Sequence, residues 1–487
     1  MEKKKIVIIG AGFSSLSASC YLAKMGYDVT ILEKNKHVGG RAQQLHKDGF
    51  VFDMGPTFYW MPDVFDKFFN DFGKTTNQYY QITKLDPGYE VYAGVMNSIC
   101  IAANFDTIVK TFEDKEKGSG KKLKSFIADA EENYHLAIKD LVYQPGENIF
   151  EIITPKTALK VGAFFSNIKS QVAKYIKHPE LKQILEFPVL FLGAKPETTP
   201  GFYNFMNYAD LKLGTWHPNK GMHQVAVGMA NLAEELGVEI LCEENITNIN
   251  LQDNKVTSVA TLNDTYTCDV LLSGADYHFT ETLLPKKYRQ YSEKYWNSKT
   301  FAPSALLFYV AFDKKIANVS HHTLFFDTDF SEHAKSIYDT LTWPEKPLFY
   351  ASFPSITDDY FAPKGKEAGT FLIPIAPGIE DTPEIREHYF NIIIKRLEKI
   401  TNQSIAPFVT FKESYCVNDF KEQFNSYKGN AYGLANTLLQ THILRPKLKS
   451  KKISNLYFTG QLTVPGPGVP PAIISGEIVS ELIYKNK

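Results

Sequence analysis

The sequence predicts an α/β fold built on a parallel, Rossmann-like sheet, with a discontinuous second domain around a mixed sheet and a helical subdomain. Three observations carry that expectation. An apolar strand runs through glycines into a helical pattern at the start of the chain. Helix-then-strand patterning recurs over residues 222–241, with a further strand at 269–273. The length of 487 residues exceeds one simple core and leaves interior for a large ligand.

The first strand, Lys5–Ile9, runs into Gly10-Ala11-Gly12-Phe13-Ser14-Ser15. A strand that ends in glycines and opens a helix lets phosphate oxygens approach the backbone, where free N–H groups neutralise them. The helix is expected from about Ser14 to Met25, closing on Gly26. A second strand, Asp28–Leu32, ends on Glu33, twenty-one residues after Gly12. That is the position of an acid that accepts hydrogen bonds from dinucleotide ribose hydroxyls. Ser15 replaces the usual third glycine, which loosens helix-to-strand packing but leaves the phosphate-facing glycines intact. Lys34 follows the acid, and Gly39-Gly40-Arg41 then adds close backbone approach and a fixed fork of donors for phosphate. Together these point to a flavin dinucleotide rather than a nicotinamide one.

Composition narrows the partners. A net charge of −1, with 44% hydrophobic and 22% charged residues, gives no electrostatic footprint for nucleic acid. The 35 Phe and 27 Tyr suit ordinary cores and equally a tunnel for an extended apolar molecule. Five cysteines without a Cys-x-x-Cys pair indicate neither a disulfide framework nor a zinc site, and so a reducing compartment. The nucleotide strand begins within five residues of Met1 and no run of 18 apolar residues occurs, so neither a signal peptide nor a membrane span is expected.

Further along, Phe52-Asp53-Met54-Gly55-Pro56-Thr57 with Met61-Pro62-Asp63-Val64-Phe65, Gly214-Thr215-Trp216-His217-Pro218-Asn219-Lys220-Gly221-Met222, and the ending Pro465-Gly466-Pro467-Gly468-Val469-Pro470-Pro471 together resemble the phytoene desaturase family of flavoproteins. That family shares the amine oxidase fold, a Rossmann-like FAD-binding domain of the amine oxidase/glutathione reductase type. The resemblance spans essentially the whole chain. It implies FAD as cofactor, with Gly55, Pro56 and Thr57 against the isoalloxazine, Trp216 near the ring and substrate, and the backbone near Ile246 at the adenine edge. It places the turn at Gly460 and Gln461 on the pyrophosphate and ribityl chain, and a helix opening at Gly468, Val469 and Pro470 with its positive end toward the flavin. Three positions depart from the pattern: Lys220 replaces a glycine, Gly274 an asparagine and Pro471 a glycine.

The rest of the chain reads as follows. Residues 105–143 form helices with solvated charged faces, broken at Lys117–Gly120. Lys160–Lys177 places Val161, Phe164, Phe165, Ile168, Val172, Tyr175 and Ile176 on one stripe with lysines elsewhere, either a core-packed helix or a basic helix lying on a membrane surface. The membrane reading is preferred because a polyene-like substrate is collected from lipid. Pro188 interrupts an apolar run that is a candidate cavity lining. Ser304–Phe312 and Phe371–Pro377 read as buried strands, and Thr382–Ile400 as an amphipathic helix. His321 and His322 are expected on a surface strand without a metal role. The expected domains are 1–75, 210–290 and 420–487 for FAD, 76–104 and 291–419 for substrate, and 105–209 as the helical, membrane-docking subdomain.

The function implied is FAD-dependent introduction of C=C bonds into an acyclic or partly acyclic carotenoid, leaning to 3,4-desaturation of a 1-hydroxycarotenoid, by a protein peripherally associated with the cytoplasmic membrane. Phytoene desaturation, carotenoid isomerisation or saturation, and non-catalytic prenyl-lipid binding are the alternatives; nothing commits the chain to amine oxidation. Asp210, His217 and Asp140 are weak candidates for the proton acceptor.

Overall fold

The computed structural model describes residues 3–486 other than 154, 156, 158, 159, 161 and 163–165. Its parallel five-stranded sheet has the order β19 (Leu456–Phe458), β13 (Val270–Ser273), β1 (Lys5–Ile9), β2 (Asp28–Leu32) and β9 (Glu239–Leu241). β1 lies at its centre and its Ile6, Val7, Ile8 and Ile9 are all buried, as expected of a parallel strand covered on both faces. The helix that follows spans Phe13–Lys24, one residue earlier than expected at each end, with Gly12 as its N-cap. It packs against the C-terminal helix Val469–Lys485. Gly476 permits that contact, since a Cβ there would stand 2.4 Å from Ser14 O and 2.7 Å from Ala18 N. Both ends of the chain are thereby joined beside the same sheet.

A seven-stranded mixed sheet follows the order β18 (Val409–Tyr415), β14 (Ser304–Phe312), β17 (Glu367–Ile375), β16 (Phe349–Ser352), β15 (His322–Phe325), β6 (Tyr89–Gly94) and β7 (Asn97–Ile101). All its pairings are antiparallel except β15 with β6. Every residue of β14 is buried. The helix Pro383–Thr401 sets Tyr389, Phe390, Ile393 and Leu397 in one core with Phe308 and Phe371. Smaller sheets pair β3 (Gln44–Lys47) with β4 (Phe50–Asp53), β5 (Ile82–Lys84) with β8 (Trp216–Pro218), and β10 (Asn248–Gln252) with β11 (Lys255–Ala260) and β12 (Thr265–Thr267). The described residues between β7 and β8 are helical or irregular apart from an isolated bridge between Asn167 and Pro200.

Two expectations are corrected. The helix predicted over Lys160–Lys177 is not continuous: Ser166 and Asn167 are non-helical, and a helix starts at Ile168, where the Asn167 side chain accepts from Ser170 N at 2.8 Å and caps it. Ile168, Val172 and Ile176 are completely buried in the protein's own core, so this part of the stripe does not face lipid; Val161, Phe164 and Phe165 lie outside the described residues. His321 and His322 are not on the surface: they are 3% and 0% exposed, because other segments cover their rings, Phe58 stacking on His322 with ring centres 4.1 Å apart and His217 lying 4.7 Å from His321. Pro188 does end a helix, Pro179–Glu186, which passes into a tighter 3₁₀ turn over Phe187–Leu192.

Candidate active site

A cavity of about 460 Å³ opens at the carboxyl ends of β1, β2 and β13, the place where open parallel sheets bind ligands. Gly10, Gly12, Phe13 and Ser14 form one part of its wall; Glu33, Lys34, Gly40 and Arg41 form the next. Gly55, Pro56, Thr57 and Ile246 also line it, and Gly460, Gln461, Gly468, Val469 and Pro470 arrive from the end of the chain. Two helix N-termini, those of Phe13–Lys24 and Val469–Lys485, therefore reach one cavity.

The wall has the shape and donors that a dinucleotide needs. A Cβ on Gly12 would meet nothing within 4 Å, whereas one on Gly40, at φ +57°, would stand 3.3 Å from Gly12 Cα. The two backbones thus approach closely beside open space, and exposed N–H groups with helix dipoles favour phosphate there. The buried Glu33 carboxylate accepts from Ala11 N at 2.6 Å and from Asn35 N at 2.8 Å, which fixes it at the end of β2. Arg41 donates from Nη2 to Ser426 Oγ and Asn430 O, both at 3.2 Å, while its buried Nε has no partner.

Ser15 is not on this wall. It is fully buried behind it, with its Oγ lacking any hydrogen-bond partner. A Cβ at Gly274 would lie only 2.0 Å from that Oγ. The two departures from the expected motifs therefore fit one another: the absence of a side chain at 274 makes room for the hydroxyl at 15.

Away from the glycines the cavity turns apolar, lined by Phe187, Leu190, Met206, Phe326, Phe330 and Ile337. Trp60 lies on the wall where Trp216 was expected, its indole donating to Thr215 Oγ1 at 2.8 Å. Trp216 is off the wall: its indole donates to Leu213 O at 3.1 Å and Lys84 Nζ sits 5.7 Å from its ring centre. The reason is that β8 runs beside Tyr59, through Trp216 N to Tyr59 O at 3.1 Å, and the neighbours of Tyr59, namely Thr57, Phe58 and Trp60, take the wall.

The proton-acceptor candidates are also displaced. His217 is buried with Nε2 3.1 Å from Asp358 Oδ2, and Asp210 accepts from Tyr89 Oη at 2.7 Å while burial pushes its pKa up to about 8. Neither lines the cavity. The Asp140 side chain lies outside the described residues. Tyr350 and Tyr432, which sequence reasoning did not single out, do line it; nothing local marks them, since they come from the far sheet and from the loop before β19.

The family model for flavin containing amine oxidoreductases matches residues 13–484. A carotenoid 3,4-desaturase of Haloarcula japonica is 38% identical over all of this chain and 99% of its own. The chain belongs to the carotenoid desaturase family of flavin-containing amine oxidoreductases. FAD is its cofactor, and the cradle above fits it. A 4,4'-diapophytoene desaturase of Staphylococcus haemolyticus is 28% identical over 99% of both chains. Among solved structures, an oxidoreductase from Methanosarcina mazei superimposes with a TM-score of 0.63 at 16% identity, over 98% of this desaturase-family chain and all of the other, a likeness of fold.

Proposed function

We propose that this protein desaturates a CH–CH unit of an acyclic or partly acyclic carotenoid, at C-3,4 of a 1-hydroxylated one. The observation that carries the reading is that the glycine-lined cradle and the apolar chamber are one cavity. Bound FAD supplies the two-electron oxidant that such a reaction requires. The chain's own residues do the rest: Phe187, Leu190, Phe326 and Phe330 exclude water and confine an apolar chain, while Trp60 and Phe58 narrow the wall beside Thr57. The 38% identical relative named for 3,4-desaturation supports the position of attack. The same reading takes the cradle residues named above as the FAD contacts and 1–75, 210–290 and 420–487 as the domain that holds it. It takes 76–104 and 291–419 as the substrate domain and 105–209 as the helical subdomain.

The decisive assay supplies a 1-hydroxylated acyclic carotenoid and phytoene separately in liposomes to the FAD-loaded protein and separates products by chromatography. A 3,4-desaturated product from the first supports the reading; conversion of phytoene alone refutes the position, and conversion of neither refutes the reaction class.

Collection of substrate from a lipid surface is part of the proposal. It is supported by exposed apolar residues on two segments, Ile149, Phe150 and Ile153 on one and Leu439 and Leu444 on the other. Lys447 Nζ, donating to Gly146 O at 2.6 Å, ties these segments together. Among the described residues no helix is long and apolar enough to cross a membrane, so contact through such a patch suits the chain. Phe150→Glu should reduce co-flotation with liposomes; unchanged flotation counts against the patch.

A further inference from the structure

A hydrogen-bond chain runs from Thr57 of the cradle through the cavity wall to a buried ring behind it. Thr57 Oγ1 lies 2.8 Å from Tyr350 Oη, and Tyr350 Oη lies 2.7 Å from His322 Nδ1. Thr57 and Tyr350 line the cavity. His322 is fully buried one layer behind, stacked on Phe58 with ring centres 4.1 Å apart. Its Nε2 is buried with no hydrogen-bond partner. Burial, with the nearby His217, holds the His322 pKa well below its ordinary 6.5, so the ring is neutral. Burial likewise raises the Tyr350 phenol above its ordinary 10, so it keeps its proton. A neutral imidazole has one bare nitrogen; in the tautomer with hydrogen on Nε2 that nitrogen is Nδ1, and the phenol 2.7 Å away donates to it. The phenol oxygen then keeps lone pairs for the Thr57 hydroxyl and for the cavity.

We propose that Tyr350 and His322 form a proton relay that takes up the proton released when a CH–CH unit in the cavity is desaturated. This rests on the desaturase reading. Two C–H bonds break: one hydrogen would leave with its electron pair to bound FAD, which supplies the two-electron oxidant, and the electron pair of the other bond would become the new π bond. The proton left over passes to Tyr350 Oη as the phenol's own proton moves to His322 Nδ1. Tyr350 is the group presented to substrate, and His322 acts through it. Burial keeps the His322 ring neutral at rest and equally disfavours its cation, so the proton is held there only while the substrate cation drives the transfer. A weak base suffices, because loss of hydride leaves the neighbouring C–H strongly acidic.

Other titratable groups face the pair. The His321 ring lies 4.4 Å from that of His322 and is hydrogen-bonded through Nδ1 to Thr357 Oγ1 at 2.6 Å. His217 lies 4.7 Å beyond His321 and carries Asp358. Tyr432 and Asp53 act on Tyr350 across the wall.

The test uses the full-length, FAD-loaded enzyme labelled with [15N]histidine, together with His322→Gln and Tyr350→Phe. The resonance lost in His322→Gln identifies His322. It should show an unprotonated Nδ1 with hydrogen on Nε2, and should shift in Tyr350→Phe; a protonated Nδ1 overturns the relay. Turnover of carotenoid in liposomes should fall about 100-fold in each variant, with flavin content and Tm preserved. The double variant should be no slower than either single one, as for residues that act as a unit. A loss smaller than about three-fold in Tyr350→Phe, which nearly preserves shape, overturns the relay alone. A wild type that desaturates no acyclic carotenoid overturns the underlying reading instead.

Discussion

Gly274→Ala is predicted to be costly only while Ser15 is present. The added Cβ would lie 2.0 Å from Ser15 Oγ but 3.4 Å from Ser15 Cβ, and 3.5 Å from Ile9 O. The first distance is a collision; the others are close to ordinary contact. Forcing a methyl into a packed interior costs roughly 1–3 kcal/mol, and Ser15 is completely buried with little room to move. Ser15→Ala by contrast removes a buried hydroxyl that has no partner. An orphaned polar group of that kind costs about 1–3 kcal/mol, and alanine is the better helix former by a few tenths of a kcal/mol. Ser15→Ala should therefore be neutral or stabilising, and Gly274→Ala in that background should cost under about 1 kcal/mol. The cycle should return a coupling of roughly 1–3 kcal/mol, as contacting residues show. Urea unfolding of the four proteins at one fixed, saturating FAD concentration measures it, since bound cofactor adds its own stabilisation. Equal costs for Gly274→Ala in both backgrounds would refute the reasoning.

Glu33→Ala should weaken FAD retention by roughly ten-fold or more, because the buried carboxylate both orders Ala11 N and supplies the acid at the end of β2; the flavin-to-protein ratio after gel filtration reads this, and an unchanged ratio would contradict the ribose contact. Asp210 has a folded pKa of about 8 against an ordinary 3.8. Between those values the folded chain holds a proton that the unfolded chain releases. Stability should therefore fall by about 1.4 kcal/mol per pH unit as pH rises toward 8 and level off above it. The Tm difference between wild type and Asp210→Asn across pH 5 to 9 isolates this term, and parallel profiles would rule it out. Ile168→Glu buries a charge at a position with no exposure and should cost several kcal/mol of stability; a variant with normal Tm but poorer liposome binding would instead put that face toward lipid.

Much of the cradle was legible because it is local. Strand, glycines, helix, strand and acid from Lys5 to Glu33 are fixed by chain direction and backbone chemistry, and the turn glycines at 55, 460 and 468 sit in short segments whose residue order carries their geometry. The apolar run that predicted β14 and the helical spacing that predicted Pro383–Thr401 were equally local. What failed was of another kind. The Ile168–Ile176 stripe shows only that one face is apolar, and protein interior and lipid accept that face alike. His321 and His322 read as surface residues because no property of a strand segment tells which distant segments cover its face, here those of Phe58 and His217. Trp216 stands off the cavity because it pairs with Tyr59 across a separation of more than 150 residues, which puts the neighbours of Tyr59 on the wall instead.

The sequence by itself determined the fold class and the family and picked out most of the glycines that line the cavity, since each rests on short-range order along the chain. Only the tertiary structure decided that Ser15 and Gly274 compensate one another, that Asp210 and His217 stand off the cavity, and that Thr57, Tyr350 and His322 meet on its wall. These are contacts between segments from 28 to 293 residues apart, brought together by sheet order and packing that no single segment encodes.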